Sequence, residues 1–335
     1  MKVAVFSARP YDRRSLDEAN QQGGAANGVE FQYYDATLDV HTATLAQDCD
    51  AVCVFVNDRL DAPVLQALHG MEVRAVLLRC AGFNGVDLAA CSRHGIRVVR
   101  VPAYSPHAVA EHAFALLLAV NRRIHKAYVR VREMDFSLDG LVGFDLHGKT
   151  FGVIGTGRIG EAAIGIARGF GMRVLAHDVA QDRLLAKQLG FSYVDRGTLL
   201  AESDVVSLHL PLLPATRHLI DATTLAQMKR GALLINTSRG GLIDTPALIE
   251  ALKDGRLGGV GLDVYEMEEG VFFENLSEAG LQDDQLARLL TFPNVLITSH
   301  QGFLTREALD NIARTTLGNV QAFARGAVLD NAVHG

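Results

Sequence analysis

The sequence predicts an α/β protein of two domains, each a doubly wound parallel sheet with helices on both faces. Short apolar runs of strand length alternate with helical patterns along the chain, and this alternation is typical of parallel sheets. One of these runs leads into a glycine-rich turn that opens a helix. A length of 335 residues, of which 49% are hydrophobic and only 8 are proline, suffices for two separate cores.

The first hundred residues predict the smaller of the two sheets. Apolar runs of strand length occur at 3–6, 31–34, 51–56, 75–78 and 97–99. Helical patterns lie between them, at 61–69 and 86–94, and the glycine-rich segment 21–28 predicts a surface loop. A small-residue turn at 79–85 could present backbone N–H groups to an anion, although an ordinary strand-to-helix turn is the simpler interpretation.

A long apolar helix is predicted after this first sheet. Ser105 is the expected N-cap and Pro106 the first helical residue, and the helix should run over 107–123. It is apolar almost all round but too short to cross a bilayer. We therefore expect it to be buried against another domain or a second subunit, at the point where the chain passes between domains.

The centre of the chain carries a dinucleotide-binding pattern. An apolar strand at 151–154 runs into Gly155-x-Gly157-x-x-Gly160, a helix follows, and a second strand at 173–177 ends at Asp178. This is the order found in Rossmann domains, where the glycines permit a tight turn, close approach of backbone to a pyrophosphate and helix packing. The Asp178 carboxylate would accept hydrogen bonds from the adenosine ribose hydroxyls of NAD. It would repel the 2′-phosphate of NADP, so the sequence favours NAD over NADP.

Three ionisable residues follow further predicted strands of this second sheet. Arg239, Glu268 and His300 come after the apolar runs at 233–237, 259–262 and 295–298. Each has an ordinary interpretation by itself, as a surface cation, a solvated acid or a capping histidine. Because ligands bind beyond the carboxyl ends of parallel strands, the three together predict an active site.

The domain boundaries follow from this pattern. The helix predicted from residue 305 onwards should return to the first domain, so we expect a discontinuous, flavodoxin-like substrate domain of residues 1–101 plus 301–335. Residues 102–300 would form the NAD-binding Rossmann domain. Substrate and cofactor are expected to meet in a cleft between the two domains.

Composition excludes several other classes of function. A net charge of −6 without a basic cluster argues against a nucleic-acid partner. No apolar stretch approaches 18 residues, and the N-terminus lacks a signal-peptide pattern, so we expect no membrane association and a cytoplasmic protein. The four cysteines are expected to be free thiols in a reducing compartment, and the spacing Cys49-x3-Cys53 without a second ligand pair predicts no metal site.

Taken together, these motifs resemble the D-2-hydroxyacid dehydrogenase family over nearly the full chain. The resemblance is carried by Gly155–Gly160 with Asp178, by 236–240 (Asn-Thr-Ser-Arg-Gly), by 261–268 and by 299–301. The segments 101–112, 264–274 and 300–305 look like the D-lactate dehydrogenase branch of the family. Ser299, Gln301, Gly302 and Thr216 depart from the commoner residues of the family, which are Pro, Thr, Ala and Asn.

The resemblance implies a role for each site residue. His300 would donate a proton to the substrate carbonyl and recover it in reverse, Glu268 would hold the imidazole and favour its cationic form, and Arg239 would clamp the substrate carboxylate. The implied cofactor contacts are Gly155, Gly157, Arg158, Ile159, Gly160, Asp178, Leu210, Pro211, Thr216, Thr237, Ser238 and Asp263. The implied substrate contacts are Ala81, Gly82, Tyr104, Arg239, His300 and Phe303, of which Tyr104 and Phe303 would border the methyl pocket.

The expected reaction is the reversible NADH-dependent reduction of pyruvate to D-lactate. Another D-2-hydroxyacid dehydrogenase remains an alternative, with glyoxylate, hydroxypyruvate or a longer 2-oxo acid as substrate, because a pocket separates homologous substrates by only about 1–3 kcal/mol per methylene. A non-catalytic NAD-sensing protein, like the corepressors that reuse this fold, is an alternative of another class. We expect a homodimer or a homotetramer, since the apolar helix that begins at Pro106 commonly packs across a two-fold axis in the family.

Overall fold

The computed structural model describes residues 1–22 and 28–334. The loop predicted at 21–28 lies largely outside the described residues. The chain forms two compact units, the first made of Met1–Ser105 and Phe303–Gly335, the second of Pro106–Gly302. The first unit is therefore assembled from both ends of the sequence.

Regular elements alternate along the chain. The strands are β1 (Lys2–Val5), β2 (Glu30–Tyr33), β3 (Ala51–Val54), β4 (Ala75–Leu78), β5 (Arg97–Arg100), β6 (Thr150–Ile154), β7 (Arg173–His177), β8 (Ser192–Tyr193), β9 (Val205–Leu208), β10 (Leu233–Asn236), β11 (Gly259–Leu262) and β12 (Val295–Ile297). The helices are α1 (Pro10–Gln22), α2 (Ala62–Gly70), α3 (Leu88–His94), α4 (Pro106–Asn121), α5 (Ile124–Arg132), α6 (Arg158–Gly169), α7 (Arg183–Leu189), α8 (Arg196–Glu202), α9 (Ala222–Gln227), α10 (Thr245–Lys253), α11 (Asp284–Thr291) and α12 (Arg306–Ala324).

The first unit contains a five-stranded sheet in the order β2-β1-β3-β4-β5, with every neighbouring pair parallel. Helix α12 is capped by Thr305, whose hydroxyl accepts a bond from the Ala308 N–H at 3.2 Å, and it packs against α1. Its apolar residues join those of α1 and the sheet in one core. Beyond α12 the chain pairs with β5 through an antiparallel bridge between Val99 and Ala332.

The second unit contains a seven-stranded sheet in the order β12-β11-β10-β9-β6-β7-β8, and its neighbouring strands are also parallel. Successive side chains of these strands enter two different cores, as the two-residue period of a strand requires. Val205 lies in the core that contains α4 and α6, whereas its neighbour Val206 lies in the core that contains α9 and α10. Both sheets are thus parallel and flanked by helices, and the predicted fold class is confirmed.

Helix α4 begins at Pro106, as predicted, and its apolar residues are buried within the second unit. It packs against α6, β10 and β11, and Ala110, Phe114 and Leu117 belong to the core of that unit. The next helix, α5, was not predicted, and none of its residues is buried. The large apolar side chains that stay exposed in this part of the chain lie on α5 and the segment after it, and not on α4. In the described part of the chain no helix is long and apolar enough to span a membrane.

Candidate active site

The glycine turn after β6 leaves open backbone at the start of α6. Gly155 has a positive φ of 98°, and a Cβ atom there would come closer than 3.0 Å to the His209 carbonyl. A Cβ at Gly160 would similarly meet the Gly155 carbonyl, but one at Gly157 would meet nothing within 4 Å. Gly155 and Gly160 are therefore required by the protein itself, whereas Gly157 leaves space for a ligand. The first N–H groups of α6, which include those of Arg158 and Ile159, lie beside this space and lack helical partners.

Asp178 follows β7 and is bonded to the glycine turn. Its Oδ2 accepts the Thr156 N–H at 2.6 Å and the Thr156 hydroxyl at 3.1 Å, and its Oδ1 accepts the Ala180 N–H at 3.0 Å. Burial alone would raise the pKa of Asp178, but these hydrogen bonds outweigh burial and lower it. The carboxylate is therefore charged at neutral pH and would repel a phosphate. Sequence reasoning missed Thr156, whose hydroxyl also contacts the Tyr193 hydroxyl at 2.9 Å.

The other predicted cofactor residues lie in the turns after β9 and β10. The Thr216 hydroxyl donates to the Pro211 carbonyl at 2.7 Å and so stabilises the turn after β9. Ser238 likewise donates to the Leu208 carbonyl, at 2.8 Å. Thr237 is only 7% exposed, and its hydroxyl has no partner among the described residues. A buried hydroxyl without a partner is costly unless a ligand or water satisfies it. Together with the glycine turn, these residues fit a bound dinucleotide.

Leu210 lies directly against the glycine turn. Its side chain is partly buried beside one core of the second unit. A Cβ atom at Gly155 would lie 2.9 Å from its Cδ2 atom, so Leu210 and the His209 carbonyl together form the wall that Gly155 approaches. Leu210 thus borders the turn that the sequence assigns to the cofactor, and Pro211 follows it in the chain.

His300 and Glu268 form an imidazole–carboxylate pair. His300 Nδ1 lies 2.9 Å from Glu268 Oε1, and the His300 side chain is 14% exposed. Glu268 Oε2 accepts the N–H of Tyr265 at 3.1 Å, which fixes the carboxylate at the start of the loop after β11. The ring of Phe273 lies 6.0 Å from the imidazole, centre to centre. With Nδ1 bonded to Glu268, the other ring nitrogen, Nε2, is the one left for a ligand.

Arg239 follows β10, and its turn packs against the loop that carries Glu268. The Asn236 side chain donates to the Arg239 carbonyl at 2.9 Å, and the Arg239 guanidinium donates to the Ser238 carbonyl at 2.6 Å. A Cβ atom at Gly240 would come closer than 3.0 Å to the backbone of Tyr265 and the residue after it. The structure therefore brings the segments of the three predicted catalytic residues together at one edge of the seven-stranded sheet.

Asp263, predicted to be a cofactor contact, directs its carboxylate into the protein. It is 1% exposed, and it bonds to the His112 and Thr298 side chains and to the backbone at 301 and 302. Burial would raise the pKa of Asp263, but the bonds from His112 and Thr298 outweigh burial and lower it. Sequence reasoning missed His112 and Thr298, which lie 151 and 35 residues from Asp263.

The remaining predicted substrate residues lie in the first unit. The ring of Phe303 packs at 6.3 Å from that of Tyr104 and at 5.4 Å from that of Phe55, centre to centre. The Ala81 carbonyl accepts a bond from the Arg100 guanidinium at 2.8 Å, and the Gly82 carbonyl accepts one from the Cys80 thiol at 3.3 Å. Both carbonyls are thus bonded within the protein. The prediction that the backbone N–H groups of Ala81 and Gly82 hold the substrate carboxylate stays a prediction.

Comparison with known proteins identifies the family. Residues 114–302 match the family model described as D-isomer specific 2-hydroxyacid dehydrogenase, NAD binding domain. The chain belongs to the D-isomer-specific 2-hydroxyacid dehydrogenases. The Escherichia coli protein named D-lactate dehydrogenase is 50% identical over 331 residues, which cover 99% of each chain. The family prediction is thus confirmed.

Solved structures of this dehydrogenase family have the same fold over the full chain. The structure titled as the pyruvate reductase of Chlamydomonas reinhardtii has a TM-score of 0.93 and 44% identity, with 99% of this chain and 98% of that one covered. The D-lactate dehydrogenase from Lactobacillus jensenii with NAD+ has a TM-score of 0.83 and 32% identity, with 100% of each covered. The predictions of an oxidoreductase and of NAD as its cofactor are confirmed. Over residues 1–22 and 28–334, no three His, Cys, Asp or Glu side chains are grouped as a metal site.

Proposed function

We propose that this protein is an NAD-dependent D-lactate dehydrogenase, which reversibly reduces pyruvate to D-lactate. The observation that carries the proposal is the His300–Glu268 pair, at 2.9 Å, beside the turn of Arg239 at the carboxyl ends of the strands. Relatives named D-lactate dehydrogenase, such as the Escherichia coli protein at 50% identity, support pyruvate as the substrate. NADH, when bound, supplies the hydride for the carbonyl carbon.

His300 is proposed to exchange the proton. Glu268 accepts the hydrogen of Nδ1, so the Nε2 atom would carry the proton that goes to the carbonyl oxygen as pyruvate is reduced. The same nitrogen would take that proton back when D-lactate is oxidised. Glu268, itself held by the Tyr265 N–H, would keep the ring in one orientation through the cycle.

Arg239 is proposed to bind the substrate carboxylate. A planar guanidinium can donate two parallel hydrogen bonds to a carboxylate, which a lysine cannot do with the same geometry. The backbone of its turn is fixed by Asn236 and by the close packing of Gly240, so little order has to be gained on binding. Arg239 would thus orient the carbonyl group toward His300.

Steady-state kinetics with a panel of 2-oxo acids tests the substrate. We expect NADH oxidation with pyruvate at a higher kcat/KM than with glyoxylate, hydroxypyruvate or 2-oxobutyrate, and NAD reduction with D-lactate but not with L-lactate. A higher kcat/KM for hydroxypyruvate or glyoxylate would select the alternative dehydrogenase. NADH binding without turnover of any 2-oxo acid would instead favour the NAD-sensing alternative.

Replacement of His300 tests the proton transfer. His300→Ala should lower kcat by about 10²–10⁴-fold, the usual contribution of general acid–base catalysis, while NADH still binds. NADH affinity, measured by fluorescence titration, is the control for correct folding. Turnover close to that of the unchanged enzyme would remove His300 from this role.

We also propose that two copies of this chain associate through the exposed apolar surface of residues 124–142. Eight large apolar side chains there are at least half exposed, which is more than a monomer ordinarily leaves uncovered. They are Ile124 (54%), Tyr128 (62%), Val129 (50%), Val131 (52%), Met134 (77%), Phe136 (69%), Leu138 (78%) and Val142 (85%). A second copy is the simplest occupant, since closed homo-oligomers pair one patch with itself.

Light scattering with size-exclusion chromatography tests this association. Val131→Asp should give a monomer, because a desolvated charge at the centre of an apolar interface opposes burial. Val328→Asp is the matched control, since Val328 is 83% exposed and lies in the first unit. A monomeric unchanged protein, or a Val131→Asp variant with the unchanged mass, would contradict the proposal; a tetramer would require a second surface in addition.

The cysteines support a reducing compartment. Cys49, Cys53, Cys80 and Cys91 are all buried, and none of these four forms a disulfide. Cysteines that form no disulfide are usual in proteins of the cytoplasm, which we propose as the location. Fractionation of the source cells tests this.

A further inference from the structure

A single residue, Asp263, holds the backbone turn that carries His300. Asp263 lies at the end of β11 and is 1% exposed. Its main-chain oxygen accepts the His300 N–H at 2.7 Å, its Oδ1 accepts the Gln301 N–H at 2.9 Å, and its Oδ2 accepts the Gly302 N–H at 2.7 Å. Three consecutive N–H groups thus end on one residue, so the position of Asp263 determines the path of the turn.

This turn needs such support because its backbone is strained. His300 has a φ of 49°, in the left-handed region that a non-glycine residue adopts only at a cost in free energy. The bonds to Asp263 offset that cost. A loss of their geometry would let the turn relax, and the His300 ring would move with it relative to Glu268.

His112 of α4 is bonded to the same carboxylate. Its Nε2 atom lies 3.1 Å from Asp263 Oδ1 and 3.0 Å from the Thr298 hydroxyl oxygen. The Thr298 hydroxyl donates its hydrogen to Asp263 Oδ1, and an ionised carboxylate can only accept hydrogen bonds. Neither partner can therefore donate to His112, so His112 Nε2 must carry a hydrogen and donate it. His112 and Thr298 therefore bond to the same oxygen, Asp263 Oδ1, that accepts the Gln301 N–H of the turn.

We propose that His112 is a positioning residue for the proton transfer, which acts through Asp263 on the backbone turn of His300. The proposal rests on the proposed role of His300 as proton donor. It assigns to α4 a part in catalysis in addition to its place in the core of the second unit. A merely structural role for His112 would predict lower stability with no specific loosening of residues 300–302.

The test compares variants that remove or retain the donor. His112→Leu has no donor, whereas the amide nitrogen of His112→Gln can occupy the place of Nε2. His107→Leu is the control for a histidine of the same helix, since His107 is exposed. Thr298→Val removes the second side-chain donor to Asp263, and it provides the same test if His112→Leu does not fold.

Hydrogen exchange of the protein without substrate is the first measurement. In His112→Leu or Thr298→Val, the amides of residues 300–302 should exchange about tenfold faster, as expected when about 1.4 kcal/mol of local protection is lost. In His112→Gln and His107→Leu they should exchange as in the unchanged protein. Unchanged exchange in both His112→Leu and Thr298→Val would overturn the proposal.

Kinetics provide the second measurement. His112→Leu should lower kcat about 10- to 100-fold, because an error of about 1 Å in a reacting group has effects of that size, with NADH affinity within twofold. His112→Gln should recover most of this loss. Equal kcat in His112→Leu and the unchanged enzyme would overturn the proposal. Hydrogen exchange is measured without substrate, so its result stays valid even if pyruvate is not the substrate. The proposed function and the positioning role of His112 can therefore fail separately.

Discussion

Replacement of Gly240 by alanine should disable catalysis through the loop of Glu268 without touching a catalytic side chain. The added Cβ would come closer than 3.0 Å to the carbonyl carbon and oxygen of Tyr265 and to the backbone nitrogen of Glu266, all of them main-chain atoms. Main chain cannot rotate away as a side chain can, so the loop or the Arg239 turn must shift. Gly240 has no positive φ, so the whole effect is steric.

The size of the effect follows from what the shift displaces. Tyr265 N donates to Glu268 Oε2 at 3.1 Å, and Glu268 Oε1 is bonded to His300 at 2.9 Å. A displacement of about 1 Å at this position should lower kcat about 100-fold. Overpacking of this kind should also lower the free energy of unfolding by about 1–3 kcal/mol.

Kinetics and denaturant unfolding of the same variant test both expectations. Gly165→Ala is the control, because Gly165 lies in α6, is exposed, and a Cβ there meets nothing within 4 Å. That change should raise stability by up to about 1 kcal/mol and leave kcat unchanged. If Gly240→Ala kept both the kcat and the stability of the unchanged enzyme, the coupling between the two segments would be refuted.

Three further changes separate cofactor binding from stability. Gly157→Ala should leave the denaturant midpoint of unfolding unchanged, because the added Cβ meets no protein atom within 4 Å. It should lower the affinity for NADH in a fluorescence titration, because the Cβ enters the space left for the ligand; an unchanged affinity would mean that the pyrophosphate binds elsewhere. Asp178→Ala should weaken NAD and narrow the kcat/KM gap to NADP; an unchanged gap would exclude Asp178 from the ribose. Burial lowers the pKa of His209 from 6.5 to about 4, so the free energy of unfolding should fall by about 3 kcal/mol as pH drops from 6.5 to 4. Denaturant titrations of His209→Gln should lack that part of the slope.

The sign of the His209 effect follows from its direction. The unfolded state binds a proton near pH 6.5, whereas the folded state does so only near pH 4, because the buried ring has no counter-charge. Between those values the unfolded state holds more protons, so stability is complete above pH 6.5 and is lost as the pH falls. A steeper fall below pH 4 would come from carboxylates such as Asp178, whose pKa is lowered in the folded protein.

The strands were predictable because they are buried on both faces and read as continuous apolar runs. Ala75–Leu78 and Gly259–Leu262 begin and end at the predicted residues, and the turn residues after them could be identified as candidate site residues. The pairing of His300 with Glu268 was implied by resemblance, and the structure places the two side chains in contact. The strand positions and the candidate site residues needed only local pattern and the rule that ligands bind beyond strand ends, whereas this pairing needed the resemblance to a known family.

What the sequence could not provide depends on contacts between distant residues. His112 stands on an apolar helix, and nothing near it in the sequence points to Asp263, 151 residues further on. For a similar reason, we expected α4 to be buried against another domain or a second subunit. An apolar helix must be covered, but its sequence does not say whether its own unit covers it, and here α6 and the sheet do so.

The origin of the first unit in both ends of the chain has a consequence for synthesis on the ribosome. Residues 106–302 contain the whole of the second unit, so that unit can fold as soon as they have left the exit tunnel. Until residues 303–335 follow, the outer edge of β5 lacks its bridge to Ala332 and the apolar face of α1 has no α12 to cover it. The nascent N-terminal sheet is therefore the part of this protein that leaves apolar surface exposed during synthesis, and slow translation of residues 303–335 would prolong that exposure.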